Sequence, residues 1–142
     1  MEAEDLIRQF EGCNLAAYKK GDNVWTIGWG HTGKDVYDGL VWTQAQADDA
    51  LSHDLLAAQA LLALYSPGLA GDTLTALTDF VFNLGIGNYR SSTLAKCVNV
   101  QDWPGARAQI VTWDHEHGVV VPGLKRRREA EAALLPEGES DG

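Results

Sequence analysis

Basic residues are scarce: 11 Lys and Arg stand against 20 Asp and Glu, a formal net charge of −9 over 142 residues. A nucleic-acid binder draws its affinity from neutralising phosphates, so this balance argues against one. Long apolar runs are missing as well. The longest, Leu55 to Tyr65, is interrupted by Gln59 and is too short to span a bilayer. The opening MEAEDLIRQF is acidic and reads as neither a secretory signal nor a membrane anchor. The expectation is a soluble product of the cytoplasm. Cysteine is nearly absent: Cys13 and Cys97 are too few for a disulfide framework and read as thiols, a single bridge formed later being the alternative. No internal repeat stands out. Hydrophobic residues at 45% and charged residues at 22% exclude disorder, collagen and coiled coil for the chain as a whole. The length suits one domain, or two small lobes sharing a helix.

What is present falls into two textures. Leu6, Ile7 and Phe10 mark a short amphipathic helix over 4–10, ending near Gly12. From Cys13 to Asp38, glycines punctuate the chain and Val24-Trp25-Thr26-Ile27 carries a strand signal, with turn chemistry at Lys20-Gly21-Asp22-Asn23 just before it. This segment reads as a small antiparallel sheet or hairpin. Helices follow. Thr43-x-x-Gln46 is a capping-box pattern opening a long helix over 44–64, which Pro67-Gly68 ends. Leu74 to Leu84 marks the next, stopped by Gly85 and Gly87. Ser92 caps a short helix through Lys96, and Asp102 with Pro104 in the first turn starts another through Trp113. Residues 118–123 read as an irregular loop and 124–135 as a final helix. Residues 136–142 form an acidic, Gly-rich tail that reads as disordered. The outline is α+β: a β-rich part over about 13–38 and a helical lobe over about 43–135, joined by a long helix within one domain of 1–135.

The residues that carry chemistry are Phe10-Glu11-Gly12, Tyr18 and the string Trp25-Thr26-Ile27-Gly28-Trp29-Gly30-His31-Thr32, with Glu11 fifteen residues before Thr26. They resemble the phage-type lysozymes, glycoside hydrolase family 24. Phe82-Asn83-Leu84-Gly85, Trp113, Gly123-Leu124, Arg126 to Arg128 and Glu131 extend the likeness to the whole chain outside the tail. The resemblance implies a lysozyme-like fold and a muramidase that hydrolyses the β-1,4 bond between N-acetylmuramic acid and N-acetylglucosamine, with inversion. It implies an endolysin held in the host cytoplasm until a holin opens the membrane, with no metal or organic cofactor; the sequence is silent on oligomeric state, for which a monomer is the default expectation. By resemblance Glu11 is the general acid and Thr26 orients the attacking water, while His31, Gly30 and Trp29 support the substrate site. The chemistry agrees for Glu11, because glycosidic cleavage needs a protonated carboxyl group and the negative end of a helix favours the neutral acid. Read without its motif, Glu11 is a solvated surface Glu, Thr26 an ordinary strand threonine, and His31 a satisfied, partly buried histidine.

One position departs from the family. Its second carboxylate, or sometimes a cysteine, stands nine residues after the Glu and six before the Thr, and here that position is Lys20. A charged lysine accepts nothing from water, and a cation beside an acid favours the ionised form. Three explanations remain open. Asp22 substitutes, since residues i and i+2 of an extended segment share a face about 6–7 Å apart. Or Lys20 points outward and Thr26 with bound water sustains a weaker enzyme. Or the lysine abolishes turnover and leaves a peptidoglycan-binding relative.

Other constellations are weaker. His115, His117, Cys97 and His31 match no zinc spacing, and Gly28-x-Gly30 with Gly33 opens no helix after a buried strand, which removes a nucleotide loop. Lys125 to Arg128 reads as a solvated helix face tied to Glu129 and Glu131, with attraction to anionic wall polymers as the functional alternative. Trp25 and Trp29 are placed on one sheet face, as walls for sugar rings or as core.

Overall fold

The computed structural model describes residues 1–21 and 23–138; Asp22 and residues 139–142 lie outside the described residues. The chain divides into two compact units, Glu4–Ala57, and Met1–Ala3 together with Ala58–Gly142.

The first unit bears the sheet. Helix α1 (Ala3–Phe10) opens with Glu4 and Asp5 and carries Arg8 in its last turn, charges that complement the helix dipole. Leu6 and Ile7 are its buried stripe. Strands β1 (Asn14–Lys20), β2 (Val24–Gly28) and β3 (His31–Thr32) form an antiparallel sheet in that order. Tyr18 stands opposite Thr26, Lys20 opposite Val24, and Thr26 opposite Thr32. Directly opposed residues share a face, and alternation sends their neighbours to the other one. Tyr18, Lys20, Val24, Thr26 and Thr32 therefore line one side, while Lys19, Trp25, Ile27 and His31 line the other. The Lys19 ammonium accordingly lies 5.3 Å over the Trp25 ring. Trp29 falls beyond the end of β2, after Gly28 at φ +65, so strand alternation does not put it on a face with Trp25. Helix α2 (Gln44–Tyr65) starts with the expected reciprocal cap: Thr43 N–H donates to Gln46 Oε1 at 2.8 Å and Gln46 N–H to Thr43 Oγ1 at 3.2 Å.

The second unit is mainly helical: α3 (Gly71–Leu84), α4 (Ile86–Arg90), α5 (Thr93–Asn99), α6 (Trp103–Ile110) and α7 (Pro122–Leu134), with a hairpin of β4 (His115–Glu116) and β5 (Val119–Val120). Leu62, Leu77, Phe80, Tyr89, Leu94 and Ile110 are core residues here, and Trp113 packs edge-on against Phe80 at 5.6 Å. Ser92 and Asp102 cap α5 and α6 as expected, accepting from Ala95 N–H and Gly105 N–H at 3.0 Å.

Four expectations need correction. Gly85 ends α3 as expected, its φ of +88 turning the chain, but Gly87 stops nothing, for it lies inside α4, which begins directly after Gly85. The expected loop after Trp113 contains a hairpin, because His117 (φ +51) and Gly118 (φ +79) make the tight left-handed turn that joins two strands. The basic run is not uniformly a solvated face. Arg127 is buried and donates to both oxygens of buried Asp79, Nε at 2.9 Å and Nη2 at 2.8 Å. Arg128 is fully buried and donates through Nη2 to Asn83 Oδ1 at 2.9 Å and Glu131 Oε2 at 2.7 Å. Burial opposes ionisation of Asp79, yet Arg127 holds its carboxyl below the usual range; burial pushes Glu131 well up. Charges are kept in a core only while each has its partner. The described start of the tail is also held, since the Arg107 guanidinium donates to the carbonyls of Pro136 and Glu137; residues 139–142 lie outside the described residues.

Candidate active site

Glu11 follows the last residue of α1, and its N–H continues the helical pattern by donating to Ile7 O at 2.8 Å. Its side chain is only 7% exposed. The Lys20 ammonium, half in solvent on β1, donates to Glu11 Oε1 at 3.2 Å. Lys20 therefore points at the acid, which removes the expectation that it turns outward. Lys20 lies on the sheet face that carries Thr26, so Glu11, Lys20 and Thr26 are brought to one side of the sheet. Thr26 is 1% exposed and its hydroxyl donates to Val24 O at 3.1 Å. With that proton committed, the oxygen is left as an acceptor. Asp22 lies outside the described residues.

Gly30 closes against the acid. A Cβ at this position would stand 2.8 Å from Glu11 Oε1, and φ there is +85. Both facts require glycine: a methyl group would displace the carboxylate and strain the backbone. Gly30→Ala is expected to cost about 1–3 kcal/mol of stability and to impair turnover, measured by denaturant unfolding beside a wall-clearing assay. Unchanged values in both would contradict this packing.

His31 and Trp29 take up supporting positions. His31, opposite Ile27, faces away from Thr26. Its Nδ1 meets Asp54 Oδ2 at 2.7 Å, its Nε2 meets Asp35 Oδ2 at 3.0 Å, and its ring lies 5.3 Å from Trp42. Burial pulls the imidazole down, but hydrogen bonds and charge from Asp54 and Asp35 outweigh it and hold His31 above its ordinary value. A raised folded value means stabilisation that is full below about pH 6.5 and lost as pH rises through the folded value. The melting-temperature gap between this protein and His31→Gln is expected to be wide near about pH 5.5 and to shrink at alkaline pH; a gap independent of pH counts against the assignment. Trp29 Nε1–H donates to Asp48 Oδ1 at 2.9 Å, and the Arg8 guanidinium lies 4.8 Å over its ring. Gln44 Nε2 donates to the same oxygen at 2.9 Å. These donors hold the Asp48 carboxyl below its usual range.

Sequence reasoning missed Asp54, Asp35, Asp48 and Arg8. Asp48 and Gln44 are spaced i, i+4 on α2, a signal that was readable. The tie from Asp54 to His31 spans 23 residues and had no local signal. Of the weaker candidates, His115 pairs through Nδ1 with Asp114 Oδ1 at 2.7 Å, and Cys13 and Cys97 are both free thiols. Burial first, and then Asp102, push the Cys97 thiol up, away from the reactive thiolate.

Comparison with known proteins adds a family. The phage lysozyme family model matches residues 8–131. An endolysin of Acyrthosiphon pisum secondary endosymbiont phage 1 is 37% identical over 135 residues, covering 92% of each chain. A SAR-endolysin of bacteriophage PS119 is 37% identical over 122 residues, covering 85% of this chain and 73% of the relative. Among solved structures, the muramidase domain of SpmX from Asticaccaulis excentricus superposes with a TM-score of 0.83 at 31% identity, covering 93% of this chain and 92% of that one.

Proposed function

This chain belongs to the phage lysozyme family, and on that premise we propose that Glu11 is the acid of its glycosidic cleavage, with Thr26 placing the attacking water. The protein is a glycoside hydrolase, an endolysin with muramidase activity, and peptidoglycan is its substrate. The observation that carries the roles is the Glu11 carboxyl group: enclosed, at a helix end, pressed on Gly30, on the sheet face of Thr26. In the proposed step, protonated Glu11 gives its proton to the oxygen between N-acetylmuramic acid and N-acetylglucosamine as the C1–O bond breaks. Water donates one hydrogen to the Thr26 oxygen, which turns its lone pair toward C1. Asp22, the carboxylate that the sequence places two residues from the family's usual position, takes the water proton, and the anomeric configuration inverts.

Lys20 must release Glu11 for this to occur. The Lys20 end of the pair is half in water, which leaves it free to swing away when substrate binds. The same contact favours a second reading, a wall binder with little turnover, because Lys20 occupies a carboxyl oxygen of Glu11 that would otherwise face the departing sugar. Incubation with purified peptidoglycan, with mass analysis of fragments and NMR of the new anomeric centre, separates the two. Inverted muramic-acid reducing ends support the roles assigned; binding without reducing ends supports the second reading.

Among the described residues no helix is long and apolar enough to cross a membrane. On the proposed route a monomer gathers in the host cytoplasm and reaches the wall through a holin lesion. Co-expression tests it: lysis without a holin excludes this route.

A further inference from the structure

A pocket of about 420 Å³ lies in the helical unit, where the turn after α2 meets the α5–α6 connection. That volume falls in the range of about 300–1,000 Å³ typical of small-molecule sites. Tyr65 and Trp103 supply aromatic surface, and Ser66, Thr73, Asn99 and Gln101 supply hydroxyls and amides. None of the described lining residues carries a formal charge. Charged ligands call for a counter-charge that this lining does not supply; the Arg90 guanidinium is outside the lining and is engaged with Tyr65, donating to its hydroxyl at 3.3 Å.

The polar groups are preset. Ser66 Oγ donates to Asn99 Oδ1 at 2.7 Å, and since a hydroxyl has one proton, the Tyr89 hydroxyl must donate to Ser66 at 2.6 Å. Burial raises Tyr89 and so keeps that proton in place. Asn99 is thus oriented with its carbonyl inward, leaving its two amide hydrogens for a ligand. Gln101 sits at φ +59, an uncommon conformation for this residue type, which turns the chain into α6.

Aromatic surface, oriented neutral amides and hydroxyls, and no charge match an uncharged, amide-bearing sugar. We propose that this pocket binds an N-acetylhexosamine unit of the glycan strand, a second point of attachment to the polymer. The inference rests on peptidoglycan being the substrate, and shares no residue with the Glu11 site. A second contact on one polymer raises effective concentration without touching the chemistry.

The probe is the N-acetylglucosamine trimer, titrated into full-length Glu11→Gln protein while the Trp103 indole N–H is followed by NMR. Tyr65→Ser removes an exposed ring, and Gln101→Gly suits the positive φ. The Trp103 signal is expected to shift on titration, and less in either variant. In the Glu11→Gln background, affinity for sedimented walls is expected to fall about tenfold. With Glu11 intact, turnover on short soluble glycan fragments is expected to stay unchanged in both variants. An unmoved Trp103 signal, wall affinity equal to the parent, or an equal loss on short fragments each overturns the proposal. The binding measurements need no turnover, so failure of the muramidase roles would show separately.

Discussion

Glu11→Gln is expected to lower release of reducing ends from peptidoglycan by about 10²–10⁴-fold, the usual contribution of a positioned acid, while leaving the fold intact. Gln has the same size and shape, so contact with Gly30 is retained and its amide carbonyl still accepts from Lys20. What disappears is the proton for the departing sugar. Circular dichroism and melting temperature should match the parent, and binding to walls should persist, since only the reacting step is touched. A variant that clears walls as fast as the parent would remove Glu11 from the mechanism.

The second large effect concerns the position that departs from the family. If Asp22 takes the water proton, Asp22→Asn should reduce turnover by about 10²–10⁴-fold, and adding Lys20→Asp to that variant should restore part of it. The replacement puts a carboxylate on the sheet face of Thr26 and removes the cation from Glu11 in one change. Full activity in Asp22→Asn would exclude Asp22 as the base. A large gain from Lys20→Asp in the parent would identify the native lysine as an impairment. If the parent binds walls and releases no reducing ends, the binder reading stands.

The fold was legible where local chemistry decides it. Thr43 and Gln46, Ser92, and Asp102 with Pro104 announce helix starts through side chains that reach backbone groups three residues away, and each cap forms. The hairpin of His115 to Val120 was not legible, because two-residue strands leave too short a pattern and the turn is visible only in the sign of φ at His117 and Gly118. The burial of Arg127 and Arg128 was equally hidden. A basic run next to glutamates reads as solvated surface until Asp79, 48 residues from Arg127, arrives beside it.

By itself the sequence determined the family pattern, the α+β succession of elements, the helix caps, and the identity of Glu11 and Thr26 as the residues to examine. These follow from spacing, propensity and motif, which are properties of neighbours along the chain. Tertiary structure alone decided that Lys20 turns onto Glu11, that Gly30 leaves no room beside the acid, and that His31 is held between Asp54 and Asp35 on the opposite face of the sheet. Apart from the local tie of His31 to Asp35, each of these is a contact between segments, set by strand register and helix packing, and a side chain's partner across such a gap is not encoded at its own position.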